Sequence, residues 1–296
     1  MKKFLAIILA ALMLLGACAC GNKKEDNLLM WEVKSGGATV YILANSDYAT
    51  NDLYPLSDTI MEAYNKSGYL MAESNPELVM PGGSVVVSSD GTRLQDTIGQ
   101  EMFDYYYQRL HTLLSDLTVE KLEDFTPLGL YVLASTMPIY AAGQLPEYSP
   151  MIKFLEFAEK DGKPVLYAED DAERIETISD YEEIAIAWLE LCYNNTYDPE
   201  ALKETYTNMY LTWRSGSLSA FEELAVPEIP DVSALRMIED SVAVRNLVMA
   251  DSVERCLTGD QDTFVVLGAS HVLGDEGVLA LLRERGYSVT LVSGAE

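Results

Sequence analysis

The chain has 296 residues, 49% of them hydrophobic, and 47 acidic against 20 basic side chains give a formal net charge of −27. This apolar content supplies a substantial core for one large domain or two small ones, while the charge excludes a basic footprint for nucleic acid or anionic lipid head groups. The cysteines form no CxxC or Cys/His spacing, so no structural zinc motif is present.

The first residues read as an address. Lys2 and Lys3 precede an apolar run of 12 residues, Phe4–Leu15, shorter than the roughly 20 needed to span a bilayer. Leu15-Gly16-Ala17-Cys18 matches a bacterial lipobox. Residues 1–17 are therefore expected to be a signal peptide, with Cys18 acylated as the mature N-terminus. Cys20 is a second acceptor, with Ala17 a poorer fit at its −3 position. Residues 18–27 form a tether and residues 28–296 the folded domain. Acyl chains, rather than a basic patch, would hold the protein on the membrane, facing outside the cytoplasm.

Leu29–Lys34 and Ala38–Ala44 flank Ser35-Gly36-Gly37 and predict a β-hairpin. Tyr54-Pro55 opens a helix to Lys66, and Gly68–Glu73 is a short strand ending in an acid. The Pro/Gly/Ser-rich segment Asn75–Thr92 holds at most a small edge strand, Ser84–Ser88. Helices then dominate. Gln100–Leu114 carries Tyr105, Tyr106 and Tyr107, of which one ring should be packed. Thr118 caps a short helix to Asp124, and Pro127–Ala142 is apolar on nearly every side, with Pro138 expected to kink or end it. Met151–Lys160 is amphipathic, and Lys163–Glu169 predicts a buried strand that again ends in an acid.

Asp180–Tyr193 places Ile184, Ala187, Trp188, Leu191 and Cys192 on one face, and Pro199–Trp213 does so with Leu202, Tyr206, Met209 and Trp213. Val232–Leu257 carries Leu235, Ile238, Val242, Arg245, Met249, Ser252 and Cys256 at helical spacing. An arginine inside that stripe either takes a carboxylate partner, the strand-end acids being the candidates, or snorkels to its edge. Cys192 and Cys256 form either a disulfide or two buried thiols.

Phe264–Leu267 is a buried strand that runs into Gly268-Ala269-Ser270-His271. Asp275 is expected to cap a helix to Arg285 that Gly286 stops, and Tyr287–Val292 is the last strand. The first strand of this strand–helix–strand unit carries a histidine at its C-terminal end, where open α/β sheets hold ligands. Val40–Asp47, VYILANSD, aligns without a gap on Phe264–His271, FVVLGASH, placing Asp47 opposite His271. The fold class is α/β: a central mixed sheet built from both chain ends and the middle, covered by helices, with a largely helical lobe over Gln100–Gly216.

The paired strand motifs, together with WEV–VYIL, LYPLSDTIMEAYNKSGYLMAE, GKPVLYAED, TWRSG and VRN in this order, resemble the TraB/GumN family, which includes the Tiki-like proteases. The resemblance covers most of Leu29–Val292. It implies metal-dependent peptide hydrolysis in which two motif histidines and glutamates hold the ion. The pattern is broken at the first motif, where Ala44-Asn45-Ser46-Asp47 stands in place of Gly-x-x-His.

Asp47, Glu73, Glu169 and His271, gathered at one sheet edge, make an oxygen-rich set suited to Mn, Zn, Mg or Ca. A bound ion would activate water, and a spare carboxylate would take its proton. On this view Glu73, Glu169, His271 and Arg245 are the catalytic candidates. Taken singly, the acids are ordinary strand ends and His271 a turn cap. His111, on a polar helix, is a surface residue. No GxSxG, HExxH, P-loop or Rossmann fingerprint occurs. Two functions follow: a surface-tethered metal-dependent peptidase, or an inactive relative that binds a peptide or envelope partner.

Overall fold

The computed structural model describes residues 28–34, 36–76, 86–169, 178–224 and 233–295. The lipobox, the tether and the start of Ser84–Ser88 lie outside them, as do the side chains of Leu235 and Ile238. Six strands, β1 (Met30–Lys34), β2 (Thr39–Asn45), β3 (Tyr69–Ala72), β4 (Val165–Tyr167), β5 (Thr263–Gly268) and β6 (Ser288–Ser293), form one sheet in the order β4-β3-β5-β2-β1-β6. Strands β4, β3, β5 and β2 run parallel, whereas β1 pairs antiparallel with both β2 and β6. The two chain ends therefore meet at the β2–β5 ladder, in which Asn45 lies opposite Gly268. Strands covered on both faces read as continuous apolar runs, and Tyr41–Ala44 and Phe264–Leu267 are buried throughout.

The helices, in chain order, are α1 (Asp58–Lys66), α2 (Leu94–Ile98), α3 (Gln100–Leu113), α4 (Val119–Glu123), α5 (Pro127–Ala141) and α6 (Pro150–Asp161). Then follow α7 (Ile178–Asn194), α8 (Pro199–Ser215), α9 (Leu218–Leu224), α10 (Ser233–Leu257), α11 (Ala269–Val272) and α12 (Val278–Glu284). One core lies on the sheet, where Phe264, Phe154 and Tyr64 pack ring against ring. A second fills the helical lobe around Phe103, Tyr106, Leu110, Leu130, Leu189 and Tyr197. Of the three consecutive tyrosines only Tyr106 is fully buried, and its hydroxyl donates to Leu189 O at 2.7 Å. Among the described residues no helix is long and apolar enough to cross a membrane.

The structure departs from several sequence expectations. Lys163–Glu169 is not a buried strand: only Val165–Tyr167 pairs, at the sheet edge, with Tyr167 38% exposed. Pro164 lacks a donor for the ladder, which suits an edge. Asp275 caps no helix. Gly274, at φ +87°, and Gly277 close a tight turn, so α12 starts only at Val278, with Gly277 at its N-cap. A Cβ on Gly277 would lie 2.2 Å from Leu273 O, which explains the glycine. On α8 Tyr210 takes the inward place expected of Met209, which is 38% exposed. Wedged between α5 and α10, α7 buries Ile184, Ala185 and Leu189, leaving Trp188 and Cys192 half-buried. Within the described residues, Ser84–Ser88 contributes one bridge, Val87 to Phe125. Cys192 and Cys256 are free thiols; burial pushes Cys192 up to about 11 and raises Cys256 as well.

Pro138 neither ends nor breaks α5, which continues to Ala141. A proline there cannot donate to the carbonyl four residues back, and the Tyr197 hydroxyl donates to Ala134 O at 2.8 Å in its stead. We predict that Tyr197→Phe lowers stability by about 1–3 kcal/mol, the cost of a buried carbonyl left without a donor. The loss should shrink in a Pro138→Ala background, where residue 138 regains an N–H. Urea unfolding of the four chains of this double-mutant cycle checks it; an equal loss in both backgrounds contradicts it.

Candidate functional site

Four parallel strands end at the same edge of the sheet, so the segments after them are brought together despite their separation in sequence. Glu73 follows β3 directly, Glu169 follows β4 by two residues, and Glu169 N donates to Glu73 O at 3.2 Å. Helix α10 crosses this edge, fastened by Ser252 Oγ donating to Ala168 O at 2.6 Å. From α10, Arg245 reaches both acids. Its Nε and Nη2 donate to Glu169 Oε1 and Oε2 at 2.7 and 2.8 Å, and Nη2 donates to Glu73 Oε1 at 2.8 Å. Gly268 N donates to the remaining oxygen, Glu73 Oε2, at 2.8 Å. All four carboxylate oxygens are thus engaged, three by the guanidinium and one by the backbone of β5.

Burial works against the charge on Glu73, yet His271 when protonated, the Arg245 guanidinium and the Gly268 N–H outweigh it. They hold the carboxyl below its ordinary value of 4.5. Burial likewise opposes the charge on Arg245, and the hydrogen bonds and charges of Glu169 and Glu73 override it, raising its pKa. Glycine at 268 is explained by space rather than backbone freedom. A Cβ there would lie 3.1 Å from Glu73 Oε2 and 3.5 Å from His271 Cδ2.

His271 sits on α11, 4% exposed, with Nδ1 2.7 Å from Asn246 Oδ1 and Nε2 3.7 Å from Glu73 Oε1. Asn246 settles the tautomer. Its Nδ2 donates to Glu276 O at 2.9 Å, so its Oδ1 must accept, and the proton lies on His271 Nδ1. Asn246 is the functional residue that sequence reasoning missed. The signal was the VRN triplet, in which only the arginine drew a role.

Asp47 stands apart in its surroundings. It is exposed, and its Oδ1 accepts from Asn45 Nδ2 at 3.0 Å. Asn45 is buried and locked by Ser149 Oγ and Met151 N, both 3.1 Å from its Oδ1. The ladder sets Asn45, not Ala44, opposite Gly268, one residue out of step with the ungapped alignment of the two motifs. Asp47 and Gly268 both line a cavity of about 270 Å³ that reaches α5 and α8 of the lobe. His111 is exposed on α3, as expected of a surface residue; it stacks on Tyr107, and its Nδ1 lies 3.0 Å from Leu117 O.

A divalent ion needs oxygens or nitrogens with lone pairs to spare. Among the described residues no three His, Cys, Asp or Glu side chains are grouped to hold a metal ion. With the oxygens of Glu73 and Glu169 committed to Arg245 and Gly268, the donor set as arranged does not fit one.

A family model described as TraB/PrgY/gumN matches residues 29–291, from the start of the hairpin into β6. Comparison with curated proteins and with solved structures gave no match.

Glu73, 14% exposed, has a folded-state pKa below its unfolded one, so its contribution is complete above the unfolded value and fades as pH falls through the folded one. Removing Arg245 reverses the sign, because two neighbouring buried acids then gain by taking up protons. Arg245→Met should therefore cost about 3–5 kcal/mol at pH 7, and distinctly less near pH 4. Urea midpoints at the two pH values measure this; an equal loss at both would refute the assignment.

Proposed function

The chain belongs to the TraB/PrgY/gumN family, and on that premise we propose that it is a lipid-anchored, extracytoplasmic protein that binds a peptide at the sheet edge without hydrolysing it. The observation that carries this is the commitment of every Glu73 and Glu169 oxygen to Arg245 or Gly268 N. A carboxylate with a depressed pKa is a weak base at neutral pH, and one paired with a guanidinium is weaker still, because taking up a proton would break that pairing. Such a triad positions strand ends and loops; it does not activate a nucleophile. The cavity beside it, with apolar and aromatic walls next to the free ends of the strands, is of the kind that receives a side chain of a bound segment.

Anchoring rests on the lipobox at Leu15–Cys18 and the polar tether after it. With a formal net charge of −27 the chain is repelled by anionic head groups, so the acyl chains carry the attachment. Outside the cytoplasm the domain meets peptides and envelope components.

Hydrolysis is the second reading, and one observation favours it. Asn246 holds His271 Nδ1, which leaves Nε2 directed towards Glu73 at 3.7 Å, as a catalytic or ligating imidazole would be held. The residues would then act with His271 as base, and the resemblance to metal-dependent peptidases would extend to this chain.

Incubation of the purified protein with a mixed peptide library, with Mn²⁺, Zn²⁺, Mg²⁺ or Ca²⁺ added in turn, separates the two. We expect no cleavage above the blank and no gain in Asp47→His, because Arg245 still occupies the carboxylates. Cleavage that disappears in His271→Ala would replace binding by hydrolysis. In the same preparations Cys18→Ser should abolish the acyl mass increment and release the protein from the membrane fraction; an unchanged mass and location would remove the anchor.

A further inference from the structure

We propose that the cavity beside Gly268 is a subsite for an uncharged aromatic side chain that carries a hydrogen-bond donor, the indole of a tryptophan or the phenol of a tyrosine. This rests on the peptide-binding function above and specifies which side chain the peptide presents. The cavity, of about 270 Å³, is walled by Tyr48, Tyr206, Tyr210, Trp213 and Phe221, with the amide of Gln144 among them. It is smaller than the roughly 300–1,000 Å³ of pockets that enclose a drug-sized ligand, so it suits one side chain.

Gln144 selects the donor. It is 4% exposed, and its Nε2 donates to Tyr206 O at 3.3 Å. A carbonyl only accepts, so this bond fixes which end of the amide is the nitrogen. Among the described residues Oε1 accepts no hydrogen bond. An acceptor so sheltered from water gains from a ligand N–H or O–H and disfavours a ligand that brings neither. The amide is also held in place, because Leu145, next in the chain, exchanges backbone hydrogen bonds with Ala49 at 2.7 and 3.1 Å.

The walls select a ring. Trp213 Nε1 donates to Ala44 O at 3.0 Å, and the Tyr210 hydroxyl lies 2.8 Å from Thr50 Oγ1, so both commit their polar atoms to the protein and offer ring surface. Their ring centres are 5.7 Å apart. Aromatic rings gain from offset or edge-to-face contact with one another beyond the apolar area they bury. Burial pushes Tyr48 up to about 12 and raises Tyr206 as well, so both stay neutral phenols at physiological pH. Asp47, exposed and accepting from Asn45, plays no part in this selection. Gly268 lines the cavity and donates to Glu73, so a seated side chain lies beside the backbone that holds the Arg245 cluster.

Calorimetric titration with acetyl-Ala-X-Ala-amide peptides tests this. X is Trp, Tyr, Phe or Leu, or else Trp methylated on the indole nitrogen or Tyr methylated on the phenol oxygen. The Trp or the Tyr peptide should bind at least about fivefold more tightly than the Leu peptide, and methylating it should weaken binding by about fivefold, the effect of one neutral hydrogen bond. Which of the two binds more tightly identifies the ring. In Gln144→Met the parent and methylated peptides should bind alike, with the Leu peptide still the weakest. Tyr206→Leu, at a half-buried position on α8, should narrow the gap between ring and Leu peptides with an unchanged circular dichroism spectrum, and it serves as the test if Gln144→Met does not fold. A Leu peptide that binds as tightly as both rings, or a methylated peptide that binds wild type as tightly as its parent, would overturn the subsite. Binding of a library peptide while every X peptide fails would remove this inference and leave the peptide-binding function standing. No binding by any peptide would remove both.

Discussion

The guanidinium of Arg245, clasped between Glu73 and Glu169, is the interaction on which the remaining geometry depends. It joins helix α10 to two strand ends that lie 172 and 76 residues away in sequence. Side-chain exposures of 20% for Arg245, 14% for Glu73 and 7% for Glu169 put the three charges largely out of water. In such a setting each partner is costly to remove, because the other charges stay behind unpaired. The clasp also fixes the rotation of α10 about its axis. That rotation presents Asn246 to His271 and to Glu276 O, and Ser252 to Ala168 O. One ion-pair cluster therefore sets the imidazole tautomer and the seating of a helix together.

On the proposed reading, the same commitment sets this centre apart from a metal-dependent one. Metal-centred hydrolysis needs carboxylates that can accept an ion, whereas here they accept a fixed organic cation of the protein itself. Where a second histidine would strengthen a ligand set, Asp47 turns to Asn45 and borders an aromatic cavity instead. Gly268 is the hinge point between the two arrangements. It donates its N–H to Glu73, leaves the space a Cβ would fill against Glu73 and His271, and forms part of the cavity wall.

Much of this was legible in the amino-acid order. Buried strands leave unbroken apolar runs, so the hairpin, β3 and β5 could be read, and the acids at Glu73 and Glu169 marked where strands stop. An arginine within an apolar helical stripe demanded a carboxylate, and the strand-end acids were the available ones. The parts that escaped are those without a periodic signature. Asn246 acts through two side-chain hydrogen bonds, which leave no spacing to detect. The Tyr197 hydroxyl that replaces the missing Pro138 donor comes from 63 residues away. The offset of one residue between β2 and β5 arises from ladder pairing, which similarity between two apolar strands does not reveal. Asp275 looked like a cap because local composition cannot register that Gly274 and Gly277 have already turned the chain.

The central claim is that a guanidinium, and not a metal, occupies the space between Glu73 and Glu169. Anomalous diffraction from crystals grown in millimolar Mn²⁺ addresses it directly. The account predicts no anomalous peak at the sheet edge, with Arg245 still bonded to both acids. A peak within roughly 2–2.5 Å of Glu73 Oε1 and His271 Nε2, with Arg245 displaced from the carboxylates, would contradict it.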